Sequence, residues 1–306
     1  MPDFITAMLV PTGINAAIGG FGGDAAREMN LLAAVSDVLI THPNVANAAG
    51  FQNLPKNALY VEGYGLDQFF KGDWALRPVR QNRLGVVFDA GIEPRMLTLH
   101  QNTLNAVSMV YGLDCVGHAI TSEPMQLACG FDPTGASTGE VHNPHVLNAS
   151  VQQLIDQGAT AIALCVQMPE LDAASEKAYK AGQGVDPVGG IEALLSHWVV
   201  SEFQIPCAHV PVFCEEDAQP EMETVLEPRT AAEFVISTFM PCVLTGLNRA
   251  PQFSLATDSI APQAIQIRDL NALVTPIDAM GSIPVLSALQ QGIPVIGVEE
   301  NTSLMQ

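Results

Sequence analysis

Basic residues are scarce. Twelve lysines and arginines stand against 32 aspartates and glutamates, a formal charge of −20 over 306 residues. Such a chain repels nucleic acid and anionic membrane surfaces, which excludes both as general partners. Charge of either sign is sparse at 14% of residues while 48% are hydrophobic, which excludes a disordered chain and describes a globular protein with a buried sheet. Long apolar runs are missing too. None approaches the roughly 18 residues that span a bilayer, and Met1-Pro2-Asp3-Phe4 lacks the basic region of a signal peptide. The N-x-S/T sites at Asn148 and Asn301 are therefore expected to be unused. The six cysteines, at 115, 129, 165, 207, 214 and 242, contain no C-x-x-C, which argues against a zinc knuckle or a redox pair. Cys115, Cys165, Cys207 and Cys242 sit in apolar runs, where a reduced thiol packs as a small hydrophobe. These features lead us to expect a reducing compartment, the cytoplasm.

The most informative stretch runs from Gly182 to Trp198. A loop rich in Gly and Pro leads into a helix from Gly189, so the helix start is bare backbone with free N–H groups and the positive end of the dipole. Asp186, Gly189 and Gly190 are candidates for holding an anion there. Ile191, Leu194, Leu195, Trp198 and Val199 form an apolar stripe at helical spacing, flanked by Glu192 and Ser196. His197 lies about 140° around the helix from Glu192, so the two are not a ready acid–base pair on the helix alone. A short strand, Ile205–Pro211, brings a second imidazole, His209. Glu192, His197 and His209 are the candidate catalytic residues. Each also has a structural reading: Asp186-Pro187 as a helix cap, Glu192 as a dipole-complementing carboxylate, and a histidine near a helix end as packing.

The rest of the chain alternates strand-like and helical segments. Residues 4–10 read as a buried strand, followed by a loop with five glycines between 13 and 23. Thr12, Gly13, Gly19 and Gly20 are ligand candidates on it, although it lacks the G-x-G-x-x-G spacing and a P-loop Lys. A helix is expected from Asp24. Strand 37–41 ends in His42, Asn44 and Asn47, polar residues at the edge where parallel sheets bind ligands. Further strands are expected at 57–61, 84–88, 113–121 and 159–166, and helices at 94–110, 146–157, 170–180 and 229–239. Residues 130–139 read as a Gly-rich surface loop, and His142 and His145 as a solvated helix start. Residues 241–245 read as a strand ending in Asn248 and Arg249, the latter an anion clamp in a chain poor in cations. Residues 273–276 and 293–298 complete the strands, with Glu299 and Glu300 at the end, and the acidic stretch 212–228 is the best linker candidate. The expected fold is α/β: a largely parallel sheet with helices on both faces, as one unit over 1–306 or two similar lobes, 1–140 and 141–306.

Several of these motifs occur together in one family. Pro11-Thr-Gly13, the Gly19-Gly20 and Gly23-Asp24 pairs, Thr41–Val45, Tyr60-Val-Glu-Gly-Tyr64, Gly184–Gly190 through Ser196-His197, Pro206–His209 and Val243–Pro251 resemble a domain-of-unknown-function family found mainly in cyanobacteria and related photosynthetic lineages. The likeness covers nearly the whole chain. It implies a soluble protein and carries no activity, cofactor or catalytic residue. From the residues alone, the expectation is an enzyme acting on a small anionic metabolite. The alternatives are a non-catalytic metabolite-binding or regulatory module, and a metal-dependent enzyme using His42, His209 and Glu299 or Glu300. No cofactor is indicated, and a homo-oligomer is expected on general grounds.

Overall fold

The computed structural model describes residues 4–10, 25–45, 54–170, 185–214, 239–255 and 263–299, with the single residues 174 and 225. The loop holding Thr12, Gly13, Gly19 and Gly20, the expected helices 170–180 and 229–239, and most of the stretch 212–228 lie outside these residues.

Two parallel sheets organise the fold. The first contains β1 (Ile5–Met8), β2 (Val38–Thr41), β3 (Ala58–Tyr60), β12 (Leu270–Pro276) and β13 (Val295–Val298), in the order β13-β12-β1-β2-β3. The second contains β5 (Leu84–Phe88), β6 (Cys115–Ile120), β9 (Ala161–Gln167) and β10 (Cys207–Val212), in the order β10-β9-β5-β6. Every pairing within them is parallel. Parallel strands are covered on both faces and so read as unbroken apolar runs. In β9 alternate side chains divide between two cores: Ala161, Ala163 and Cys165 face one, Ile162, Leu164 and Val166 the other. The same alternation splits the first sheet. Ile5 and Ala7 of β1 lie in an outer core, and Met8 joins Tyr60, Val86 and Ala208 in a core common to both sheets. Each sheet draws strands from both sides of residue 140.

Seven helices are described: α1 (Ala26–Val35), α2 (Gly63–Lys71), α3 (Pro94–Tyr111), α4 (Pro144–Asp156), α5 (Gly189–Phe203), α6 (Phe239–Leu247) and α7 (Ile283–Gln290). Helix α2 joins the two halves. Its Phe69 and Phe70 are buried in the outer core of the first sheet, beside α7, while its other flank packs against α5 of the second sheet. No helix among the described residues is long and apolar enough to cross a membrane.

Three segments differ from their sequence reading. Residues 241–245 belong to α6, not to a strand. Seven of the nine residues of α6 are buried, and an apolar run hidden on all sides has no periodicity to separate strand from helix. Pro241 falls in its first turn, where no N–H is needed. The expected loop 130–139 is part of a hairpin of β7 (Leu127–Phe131) and β8 (Ser137–Val141). Asp132 Oδ1 builds its turn by accepting from the backbone N–H groups of Thr134 and Ala136, and Gly135 takes a left-handed φ of 85°. The third difference is an antiparallel pair, β4 (Trp74–Arg77) with β11 (Gln252–Leu255), between the sheets in sequence.

Asn82 ties four elements together from a site 1% exposed. Its Nδ2 donates to the carbonyls of Leu247, the last residue of α6, and Ala250 just beyond it, both at 2.8 Å. Its Oδ1 accepts from Thr160 Oγ1 at 3.1 Å, before β9, and from Gln252 Nε2 at 2.7 Å, on β11. Replacing it strands several buried polar groups at once. Asn82→Ala is expected to lower the unfolding free energy by about 2–4 kcal/mol in a urea titration; a loss below about 0.5 kcal/mol contradicts this role.

Candidate functional site

The start of α5 is closed by the protein itself. Asp186 Oδ1 accepts the Val188 N–H at 2.9 Å, and Ser137 Oγ on β8 accepts the Gly190 N–H at 3.0 Å. A Cβ at Gly190 would run into the Ser137 carbonyl, so glycine is what lets the hairpin lie on the helix. The N–H of Gly190, expected to face an anion, is thus satisfied inside the fold, and Gly189 sits against Asp186. The buried face of α5 is also rotated from the expected stripe. Ile191, Leu195, Val199 and Val200 are buried together with Glu192 and Ser196. Leu194 and Trp198 are exposed at 41% and 40%, and Trp198 Nε1 donates to Asn148 Oδ1 at 2.7 Å.

That rotation carries Glu192 and Ser196 against β10. His209 Nε2 lies 3.5 Å from Glu192 Oε2, and its Nδ1 lies 3.4 Å from Ser196 Oγ. Ser196 Oγ also donates back to the Glu192 carbonyl at 3.0 Å. Burial, then the nearby charge of His197, lowers the His209 pKa to about 4. His209 is therefore a neutral imidazole at physiological pH.

His197 points elsewhere and finds a carboxylate that the sequence reading did not single out. Its Nδ1 forms an ion pair with Glu62 Oε1. Glu62 is the N-cap of α2, where its Oε2 accepts the N–H groups of Tyr64 at 2.8 Å and Gly65 at 3.4 Å. One carboxylate thus holds both a helix start and an imidazole. Glu62 is 2% exposed on its side chain and His197 36%, so the imidazole is the end that reaches solvent. Burial alone would lower the His197 pKa, but hydrogen bonding to Glu62, the Glu62 charge and that of Asp67 together raise it. Gly63 is needed here, because a Cβ would fall 2.5 Å from His197 Cε1. The Tyr64 ring stands edge-on to the imidazole with centroids 6.4 Å apart.

His42 completes the cluster from the end of β2. Its Nε2 accepts the Val10 N–H at 2.8 Å, so in the neutral ring the proton sits on Nδ1. Burial, then the charge of His197, lowers its pKa to about 3. Asn44 Nδ2 donates to the Val10 carbonyl at 3.1 Å. Burial raises the pKa of Asp67, against the opposing charges of His197 and Lys71. Tyr60 donates to the Cys207 carbonyl at 3.2 Å, joining the edge strands of the two sheets beneath the cluster.

The structure thus pairs Glu192 with His209, and sets His197 and His42 within each other's field. Asn248 and Arg249 bond to none of these groups. Asn248 accepts the Asn82 N–H at 2.7 Å through its carbonyl, and Arg249 Nη2 donates to the Leu54 carbonyl at 3.1 Å. Both follow a helix, so the strand-end position expected for an anion clamp is not theirs. His145 pairs with Glu123 at 3.2 Å on the surface. Glu299 follows β13, three strands from the end of β2, a separation of about 14 Å at the usual strand spacing. It cannot share a metal ion with His42, and no three His, Cys, Asp or Glu side chains converge as a metal site among the described residues. Glu62 carried one readable signal, an acidic residue before Gly at the end of a strand, which is a helix-capping position.

A family model described as "Protein of unknown function (DUF3326)" matches residues 5–306. An uncharacterised lipoprotein of the cyanobacterium Synechococcus sp. is 41% identical over 302 residues, covering 98% of this chain and 82% of that protein. No solved structure matches the chain.

The three histidines should titrate apart. The raised His197 pKa favours the folded state below the ordinary value near 6.5, and this contribution is lost as pH rises through the folded pKa. His42 and His209 act in the opposite sense. Their contribution is complete above about 6.5 and falls as pH drops toward their folded values, by about 1.4 kcal/mol per pH unit for each. Histidine NMR titration should show His197 protonating above pH 6.5 while His42 and His209 stay neutral at pH 5.5. In Glu62→Gln the His197 midpoint should fall. An unchanged midpoint contradicts the pairing.

Proposed function

Since the chain belongs to the DUF3326 family, whose description assigns no activity, we propose from the geometry that it is an enzyme acting on a small anionic metabolite by general acid–base catalysis. The observation that supports this is the pair of His–carboxylate couples carried by one helix: His197 with Glu62, and His209 with Glu192. His197 is the general acid. Glu62 shifts its pKa upward, and its exposed edge is the part of the couple open to a substrate. The imidazolium also places a positive charge in a strongly acidic molecule, which selects an anionic substrate. His209 is a neutral acceptor, oriented by Glu192 and Ser196. Tyr64 and Gly63 fix the plane and depth of the His197 ring. We place the protein in the cytoplasm, supported by the buried reduced thiols of Cys165 and Cys207. The lipoprotein description belongs to the relative, and fractionation of cells tests the location directly.

The test is turnover. Purified protein incubated at pH 7 with a panel of carboxylated and phosphorylated metabolites, followed by NMR, is expected to convert at least one of them. His197→Asn should reduce the rate by about 10²-fold or more. Binding without conversion by the wild-type protein selects the metabolite-sensing reading instead. Conversion at an undiminished rate in His197→Asn overturns the assignment of the acid.

A further inference from the structure

The first sheet ends in an open edge. Its order β13-β12-β1-β2-β3 leaves β13 paired on one side alone among the described residues. β13 follows β12 in unbroken register from Val295 to Val298. The carbonyls of Pro294 and Val298 accept the N–H groups of Leu273 and Ile277 on the β12 side, at 2.9 and 3.2 Å. Strand residues alternate in direction, so the N–H and C=O groups of Val295 and Gly297 face outward. The outer edge of the second sheet differs. β6 is bulged against β5, and its Gly117 takes a φ of 141°. Bulges and charged side chains are how edge strands avoid pairing with other chains. β13, Val-Ile-Gly-Val, has neither.

Apolar side chains line this edge on both faces. Ile277, Leu286, Leu289 and Ile296 are each between 45% and 53% exposed. On one face Val295 packs into the outer core with Val285 and Ala288 of α7. α2 flanks α7 on one side, where Gln291 Nε2 donates to the Phe70 carbonyl at 3.0 Å. Leu286 and Leu289 stand about 140–160° around the helix from Gln291, on the flank away from α2. Ile277 covers Gly297, where a Cβ would run into its Cδ1. Ile296 alternates with Val295 and Gly297, so it lies on the opposite face of the strand. Charge is missing from this stretch as well. From Ala279 to Val298 the chain has no Asp, Glu, Lys, Arg or His, in a protein of net charge −20. An exposed apolar rim of this kind marks an interaction surface.

We propose that this edge is the interface of a homodimer, in which β13 pairs antiparallel with β13 of a second copy about a twofold axis at Ile296. A twofold contact uses one patch twice, and an edge strand is complementary to itself in that arrangement. Val295 of each copy exchanges backbone hydrogen bonds with Gly297 of the other. The two Ile296 side chains meet on one face, and Leu286 and Leu289 close the other. Charge selects the occupant. Two copies carrying −20 each repel over their acidic surfaces and approach closely only through an uncharged one, whereas a basic partner is drawn to the acidic surfaces instead. In this pairing the two Glu299 carboxylates stand about 20 Å apart, beyond the screening length of about 8 Å. The face measures roughly 20 Å along the strand and 20–25 Å across the helix and sheet layers, hence roughly 400–500 Å² per copy and near 1,000 Å² in all. That is the lower end for a specific interface, so the dimer is reversible, with a dissociation constant of about 1–100 μM. β13 and β3 lie at opposite ends of the sheet, and the dimer does not depend on the acid–base reading.

Sedimentation equilibrium tests it. The wild-type protein should pass reversibly from 32.4 kDa to twice that mass as its concentration rises. Added NaCl should tighten the dimer, because salt screens the repulsion between acidic copies. Ile296→Glu and Ile296→Lys, each folded by circular dichroism, should weaken association about 10²-fold or more by setting like charges opposite one another at the axis. Mixed in equal amounts, the two variants should associate again, since residue 296 meets its own counterpart at a twofold axis. A wild-type protein still monomeric at about 300 μM overturns the proposal. So does association that Ile296→Glu leaves unchanged, which places the contact elsewhere. Association weakened by salt overturns the uncharged contact, and a variant mixture that stays monomeric overturns the twofold pairing.

Discussion

The Glu62 carboxylate joins the two halves of this protein. One oxygen caps α2, which belongs to the first sheet, and the other meets His197 on α5, which belongs to the second. A carboxylate buried this deeply is stable only if both oxygens are satisfied, since an uncompensated buried charge costs several kcal/mol. The two helices are therefore bound to a common register. Gly63 follows from the same constraint: any side chain there would push the imidazole off its partner. His42 and His209 are kept neutral first by their burial and then by the charge of His197 that this carboxylate holds.

The two sheets meet through their edges as well as through a common core. Tyr60 on β3 donates to Cys207 on β10, and the couples of α5 lie above that seam. The polar cluster sits at the junction of the two parallel sheets. Helix α5 supplies Glu192, Ser196 and His197, while strand ends supply His42 and Glu62. Their surroundings push the histidine pKa values apart, His197 upward and His42 and His209 downward, as a proton-transfer site requires.

Much of the architecture was legible in the residues. The runs Leu84–Phe88 and Ala161–Gln167 are apolar without alternation because both faces are covered, and they stand as strands in the structure. The run Pro241–Thr245 looks the same and is a helix, since complete burial erases the period that would tell the two apart. At the site, the residue types were readable but their pairing was not. Helical geometry separates His197 from Glu192; Glu192 finds its partner on the next strand, β10, while that of His197, Glu62, comes from far earlier in the chain. The start of α5 misled for a related reason: the hydroxyl that takes the Gly190 N–H is Ser137, on a hairpin about fifty residues earlier.

A double-mutant cycle on Glu62→Gln and His197→Asn, read by urea unfolding at pH 7, tests the joining interaction most directly. Allowing for solvent screening of the partly exposed imidazole, the account predicts a coupling free energy of roughly 2 kcal/mol. Additive effects, with coupling below about 0.5 kcal/mol, would mean that the two helices are held by packing alone.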